Sequence, residues 1–238
     1  MQRYFVNGNT NNISFTEGDI FHIQKVMRLK ANDLIEIVLL DKVYLAKIET
    51  TNPLKVVILK ELEEKRELEN DITLLYCLPK GDKLDLVIQK ATELGVKNIV
   101  GVISSRTIVK VDEKDKKRKL ERFNKIIKEA AEQSKRTVLP AFVDIIDYKD
   151  INKYKSLHNF IAYEGEALNQ GTLFDDLDEI ERNDTISILV GAEGGFSTSE
   201  VEFANEIGFK SVSLGKLILR SETAAIYFLS VLSFMLSR

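Results

Sequence analysis

The spacing of apolar positions changes near residue 70. Before it, short runs rich in Val, Ile, Tyr and Phe predict strands over Arg3–Val6, Leu34–Leu39, Val43–Ile48 and Leu54–Glu61. The turn signals Lys30-Ala31-Asn32-Asp33 and Thr51-Asn52-Pro53 separate them. The stretch Glu17–Met27 has a helical period that puts Ile20, Ile23, Val26 and Met27 on one face behind a Thr16 cap. Several short strands with little helix predict a small closed or half-closed barrel. The charged run Glu61–Asn70 reads either as a link or as a solvated edge strand.

From Asp71 onward strands alternate with helices. Strands are predicted over Ile72–Leu78, Val96–Ser104, Ala141–Ile145, Asn159–Tyr163, Thr185–Val190 and Ser211–Leu214. Asp82 is the expected cap of a helix that stops at Gly95, and a long helix covers about Lys116–Lys135. Ser197 and Glu200 form a Ser-x-x-Glu capping box for a helix ending at Gly208. Such alternation predicts an α/β domain with a mostly parallel sheet covered on both faces. The last helix, Ser221–Ser237, is apolar on nearly every side, which predicts burial in the core or at a subunit interface.

Two glycine-bearing segments follow predicted strands: Gly191-Ala192-Glu193-Gly194-Gly195-Phe196 after Ile186–Val190, and Leu214–Ala225 after Val212–Leu214. If those strands are adjacent, two backbones approach one ligand at the carboxyl ends of a sheet, where open α/β folds bind cofactors. The bland alternative for the first segment is a tight turn without a ligand. It lacks the G-x-G-x-x-G spacing of a dinucleotide fold. Arg220, Ser221, Glu222 and Thr223 fall where the chain enters a helix, a position that suits a charged ligand.

The 238-residue chain carries 44% apolar and 30% charged residues, an ordered globular composition. A net charge of −3 gives no overall attraction to nucleic acid, so a basic surface must be local. The run Lys110–Arg136 supplies one, with Lys114, Lys116, Lys117, Arg118, Lys119, Arg122, Lys125, Lys128, Lys135 and Arg136. Arg3, Lys25, Arg28 and Lys30 form a smaller group. Charge runs are usually solvated helix faces, but two local patches on an acidic protein suggest a shaped polyanion. Cys77 has no disulfide partner, no leader opens the chain, and Thr223–Leu236 is too short to span a membrane. A cytoplasmic protein is expected. His22 and His158 lack metal-ligand spacing, and the chemistry is not expected to use imidazole or a metal.

These segments together resemble the RsmE family of ribosomal RNA methyltransferases in the SPOUT superfamily. The resemblance spans essentially the whole chain. It rests on the His22–Lys30 block, Lys80-Gly81-Asp82-Lys83, Gln89–Val96, Ser104-Ser105-Arg106, Glu129–Arg136 and both glycine segments. Departures are Ala192 for a usual proline, Lys216-Leu217 for a usual Pro-Arg, and Ser221 where threonine is common. The family implies a PUA-like RNA-binding β-barrel over residues 1–70 and a trefoil-knotted SPOUT domain over residues 71–238. It implies a homodimer that binds S-adenosylmethionine and methylates N3 of a uridine near the 3′ end of 16S ribosomal RNA in the small subunit. Carried over, Leu189, Gly191, Gly194, Gly195, Leu214, Gly215, Leu219, Thr223 and Ala224 would hold the cofactor. Arg220 would stabilise charge on the uracil, and Glu193 is a candidate base or a holder of the loop. Arg3, Arg28, Lys116, Lys135 and Arg136 would contact RNA phosphates. Two rivals stay open: an RNA-binding protein without catalysis, and an α/β nucleotide enzyme with no RNA substrate.

Overall fold

A computed structural model describes residues 1–81, 83–107, 113–163, 165 and 177–237. The expected cap Asp82, the cation Lys110 and the side chain of Lys114 lie outside what it describes. The chain divides into two compact units, Met1–Glu67 with Lys128–Leu139, and Leu68–Ile127 with Pro140–Arg238.

In the first unit, β1 (Arg3–Phe5), β4 (Leu34–Leu39), β5 (Lys42–Thr51) and β6 (Leu54–Leu62) form a sheet in the order β1-β4-β5-β6. β1 runs parallel to β4, and the other pairings are antiparallel. A small hairpin of β2 (Asn7–Asn9) and β3 (Asn12–Ser14), absent from the sequence expectation, forms its own two-stranded sheet, with Ile13 packed against the same core. Alternation along the strands turns Ile35, Ile37, Leu39, Ala46 and Ile48 inward with Tyr4 and Ile23. The expected helix is only partly α: α1 (Glu17–Phe21) starts with a Thr16–Asp19 capping box, then widens into a π-turn over His22–Val26. The wide turn keeps Ile23 buried but carries Val26 and Met27 off the inner face, where the 3.6-residue period had placed them.

The second unit contains β7 (Asp71–Cys77), α2 (Lys83–Glu93), β8 (Asn98–Ile103), β9 (Ala141–Asp147), β10 (His158–Ala162), β11 (Thr185–Val190), α4 (Thr198–Glu206), β12 (Lys210–Val212) and α5 (Ser221–Leu236). The long helix α3 (Glu113–Gln133) begins here, and its residues from Lys128 onward group with the first unit. The sheet order is β12-β10-β11-β7-β8-β9, with every pairing parallel. One face buries Ile72, Leu74, Tyr76, Ile186, Ile188 and Val190 against α2, Phe123 and Ile127 of α3, and α5. The other buries Leu75, Cys77, Val102, Ile161 and Leu189 against Phe196 and α4. Residues two apart thus share a layer, as a sheet covered on both faces requires. Burial pushes the Cys77 thiol up to about 12, so it is inert rather than reactive.

One expectation changes. The strands ahead of the glycine segments are not neighbours: β10 lies between β11 and β12. The last helix, expected in the core or at a subunit interface, turns one side to the core of this chain. Ala225, Phe228, Leu229 and Leu232 are inside, while Tyr227 and Phe234 are exposed. Among the described residues, no helix is long and apolar enough to cross a membrane.

Candidate functional site

Three strands of the parallel sheet, β10, β11 and β12, end at one cleft. Its walls come from Ala162 and Tyr163, from Val190–Glu193 with Gly195 and Phe196, and from Ser213–Gly215 with Leu217–Ser221. Lys83 and Ala224 complete them, around a cavity of about 290 Å³. The lining is mainly apolar side chain and loop backbone, with the charged groups Lys83, Glu193 and Arg220 among it, as small-molecule sites generally are.

The glycines of the two segments do different work. At Gly191 a Cβ would lie 3.2 Å from the Phe196 ring and 3.3 Å from the Gly195 backbone, so this glycine lets the loop fold onto itself. Gly195 sits at φ +63°, closing the turn with its N–H on the Ala192 carbonyl at 2.9 Å. A Cβ on Gly194 would meet the Arg106 stem at 3.1 Å, and the Arg106 guanidinium donates to the Gly194 carbonyl. Gly215, at φ +118°, has no atom within 4 Å of an added Cβ. It is one of the residues that line the cavity.

The loops are fastened from below and from one side. Ser221 Oγ lies 2.8 Å from the buried Tyr76 hydroxyl and also reaches the Gly191 carbonyl. Lys83 Nζ is 3.2 Å from Glu193 Oε1 and 3.4 Å from Glu222 Oε2. Partial burial acts to raise the Glu193 carboxyl, but its own backbone N–H and Lys83 hold it below the usual carboxylate range. Glu200, buried at the start of α4, accepts from the Ser105 N–H at 2.7 Å and the Ser197 N–H at 2.8 Å. Burial acts to raise its carboxyl too, and these donors keep it low. Arg220 is exposed at the N-cap of α5, in extended conformation, and lines the cavity.

The structure therefore gathers Gly191, Glu193, Gly195, Leu214, Gly215, Leu219, Arg220 and Ala224 around one cavity. Three other expected cofactor residues do not line it. Leu189 is packed in the layer under α4, Gly194 is exposed next to the Arg106 stem, and Thr223 is exposed on α5. Sequence reasoning missed Lys83 and Tyr163 as lining residues, whereas Ser221, expected at a ligand-facing helix start, does line the cavity. Lys83 stood in a quoted motif, but nothing local shows that it reaches two loops more than a hundred positions away.

The cations expected to meet phosphate are mostly engaged. The buried Arg3 guanidinium donates to Glu36 at 2.9 Å, to Glu64 at 2.7 Å and to the Lys135 carbonyl at 2.6 Å. Lys135 Nζ is 2.9 Å from Glu36. Arg136 pairs with Glu67 at 2.6 Å, and Lys116 with Asp144 at 2.6 Å. Arg28 alone of the five is exposed without a carboxylate partner among the described residues, in a left-handed conformation at φ +53°. His158 lies at the opposite, amino end of β10 and pairs with Asp184 at 2.8 Å.

The residues that build this parallel sheet and its cleft fall within 66–233, which match the family model described as the RNA methyltransferase domain. A second model, the RNA methyltransferase PUA domain, matches residues 15–60. The chain is 35% identical to ribosomal RNA small subunit methyltransferase E of Bacillus subtilis, covering 98% of this chain and 96% of that one. It is 33% identical to the protein of that name from Mesomycoplasma hyopneumoniae, over 97% and 98% of the two chains. The crystal structure of the Neisseria gonorrhoeae enzyme of that name, bound to S-adenosylmethionine, superposes with a TM-score of 0.85 at 29% identity, covering 99% and 98%. The chain belongs to the ribosomal RNA small subunit methyltransferase E family.

Proposed function

We propose that this protein transfers a methyl group from S-adenosylmethionine to N3 of a uridine near the 3′ end of 16S ribosomal RNA, acting on the small subunit. The observation that carries the reading is the cavity shared by the two glycine segments in a chain of this family. Residues 1–70 serve as the PUA-like RNA-binding domain and residues 71–238 as the methyltransferase domain. A trefoil knot in the latter is part of the reading, and rests on the resemblance to the family alone. The protein works in the cytoplasm as a homodimer, and the chemistry asks for no metal.

The cavity fits the cofactor in its donor set. Val190, Phe196, Leu214 and Leu219 offer apolar walls to an adenine, while the open Gly215 backbone admits close approach. When bound, S-adenosylmethionine supplies an electrophilic methyl carried on a sulfonium. The protein's part is to hold the uracil nitrogen in line and to favour loss of its weakly acidic proton. Arg220, exposed at the cavity wall, is placed to stabilise the negative charge that then develops on the base. Glu193 is better suited to holding the loop than to acting as a base. Its carboxylate is engaged by Lys83 and held below its usual pKa, which makes it a weak proton acceptor.

The test is mass spectrometry of 16S ribosomal RNA from a strain lacking the protein, with calorimetry of S-adenosylmethionine binding to the purified chain. Loss of one methyluridine, restored by the wild-type gene, is expected. An unchanged RNA modification pattern refutes the substrate, and absence of cofactor binding refutes the site.

A further inference from the structure

Phe21 to Asn32 contain no acidic residue, although the chain as a whole carries a charge of −3. Three cations, Lys25, Arg28 and Lys30, lie in this stretch, exposed and without a carboxylate partner among the described residues. Of the flanking acids, Asp19 is engaged by Lys128 and Thr16, while the Asp33 carboxylate accepts from the Lys30 N–H at 2.7 Å and closes the end of the segment. Many other cations of the first unit, Arg3, Lys128, Lys135 and Arg136 among them, are held by carboxylates. Three cations within six residues, with no acid between them, give the segment a local positive charge.

The same stretch exposes large apolar side chains. Phe21 is 61% and Val26 57% exposed. The backbone is firmly held beneath them. Ile23 is fully buried, Leu29 packs against the core, His22 Nδ1 lies 3.0 Å from the Tyr4 hydroxyl, and the Gln24 amide donates to the Thr51 carbonyl. The π-turn and the left-handed Arg28 are departures from regular helix, of the kind that cluster at functional sites. A buried support thus displays an exposed aromatic ring and three exposed cations on one ten-residue segment.

We infer that the Phe21–Lys30 segment is a contact surface for unpaired RNA, with a base stacked on Phe21 and flanking phosphates held by Lys25, Arg28 and Lys30. The chemistry favours a single strand. Every unstacked base offers a π-face to an aromatic ring, whereas a duplex keeps its bases stacked inside. This surface rests on the proposed RNA methyltransferase reading and locates where, in the first unit, its substrate is gripped.

The test uses full-length protein and a short fluorescein-labelled oligouridylate, followed by anisotropy at several salt concentrations. Phe21→Ala should weaken binding about tenfold, and Phe21→Tyr should restore it, as base–aromatic stacking predicts. Lys25→Gln and Arg28→Asn, the latter chosen because asparagine tolerates the left-handed backbone, should each lower the log–log salt slope by about 0.7. Duplex RNA of equal length should show no dependence on Phe21, and S-adenosylmethionine affinity should stay unchanged in every variant. Unaltered oligouridylate binding by a folded Phe21→Ala protein overturns the surface. So does conversion of a dimer to a monomer by Phe21→Ala in sedimentation, which would make the segment a contact between copies. The two readings fail separately. Phe21-dependent binding by a protein that leaves small subunits unmethylated refutes the enzyme reading alone. Subunit methylation with an unchanged KM in Phe21→Ala refutes the surface alone.

Discussion

Ser221 Oγ lies 2.8 Å from the Tyr76 hydroxyl oxygen and also contacts the Gly191 carbonyl, which joins the start of α5 to the first glycine loop through a strand in mid-sheet. A serine has one hydroxyl proton and a carbonyl can only accept. The Ser221 proton therefore goes to Gly191, and Tyr76 supplies its own to Ser221. Burial pushes the Tyr76 phenol well above its ordinary pKa, so that proton stays in place at any physiological pH. Ser221→Ala would leave the buried Gly191 carbonyl and Tyr76 hydroxyl unsatisfied, at a cost of about 1–3 kcal/mol in urea unfolding. Ser221→Thr keeps the hydroxyl and should retain both stability and cofactor affinity.

The glycine contacts separate two kinds of damage. Gly194→Ala presses on the Arg106 stem, so a double-mutant cycle with Arg106→Ala should show a coupling of about 0.5–1 kcal/mol in stability. Gly215→Ala meets no neighbour, and its cost is the left-handed backbone alone, roughly 1–3 kcal/mol. Because Gly215 lines the cavity, calorimetry should find its cofactor affinity reduced as well. Independent behaviour of Gly194 and Arg106 would refute the packing argument.

Glu67 sets an acid limit on stability. Burial acts to raise its carboxyl, but Arg136 and the N–H groups of Thr137 and Val138, at 2.7 and 3.1 Å, hold it below the usual range. A carboxyl lowered by folding stabilises the fold in full above its unfolded pKa, and that stability is lost as pH falls through the folded value. Glu67→Gln should therefore be less stable than wild type at pH 7, with the difference shrinking below about pH 4. Arg136→Met leaves a largely buried carboxylate unpaired and should cost about 3 kcal/mol at pH 7. Parallel pH–stability curves for wild type and Glu67→Gln would exclude the effect.

Arg220→Ala tests the catalytic assignment. If the guanidinium acts on charge that develops only in the transition state, single-turnover methylation should fall about 100-fold or more while subunit binding is kept. Equal losses in binding and rate would instead make Arg220 an RNA anchor. Alanine substitutions at the ion-paired Lys116 or Lys135 are expected to act mainly on stability, and to leave the salt slope of RNA binding nearly unchanged.

Tyr227 and Phe234 are exposed two helical turns apart on α5, a helix whose other side fills the core. An apolar face of this kind is expected to close the proposed homodimer. Light scattering should show a dimer for wild type and a monomer for the Tyr227→Glu, Phe234→Glu double variant. A monomeric, fully active wild type at micromolar concentration would refute the interface.

What the sequence determined by itself was everything written in near neighbours. The alternation of Ile35, Ile37 and Leu39, the Thr16 and Ser197 capping boxes, the helix stop at Gly95 and the two glycine turns each depend on residues within a few positions of one another. Steric and hydrogen-bonding rules act at that range, so the pattern can be read directly. Tertiary structure decided what depends on distant partners. It placed β10 between β11 and β12, brought Lys83 to Glu193 and Glu222, set Arg106 next to Gly194, and turned most of the basic run into ion pairs with carboxylates as remote as Asp19, Glu36 and Glu67. A charge in a sequence shows its sign but not which opposite charge folding will bring within 3 Å. That is why Arg28, with no such partner among the described residues, could be told from Arg3 and Arg136 only once the chain was folded.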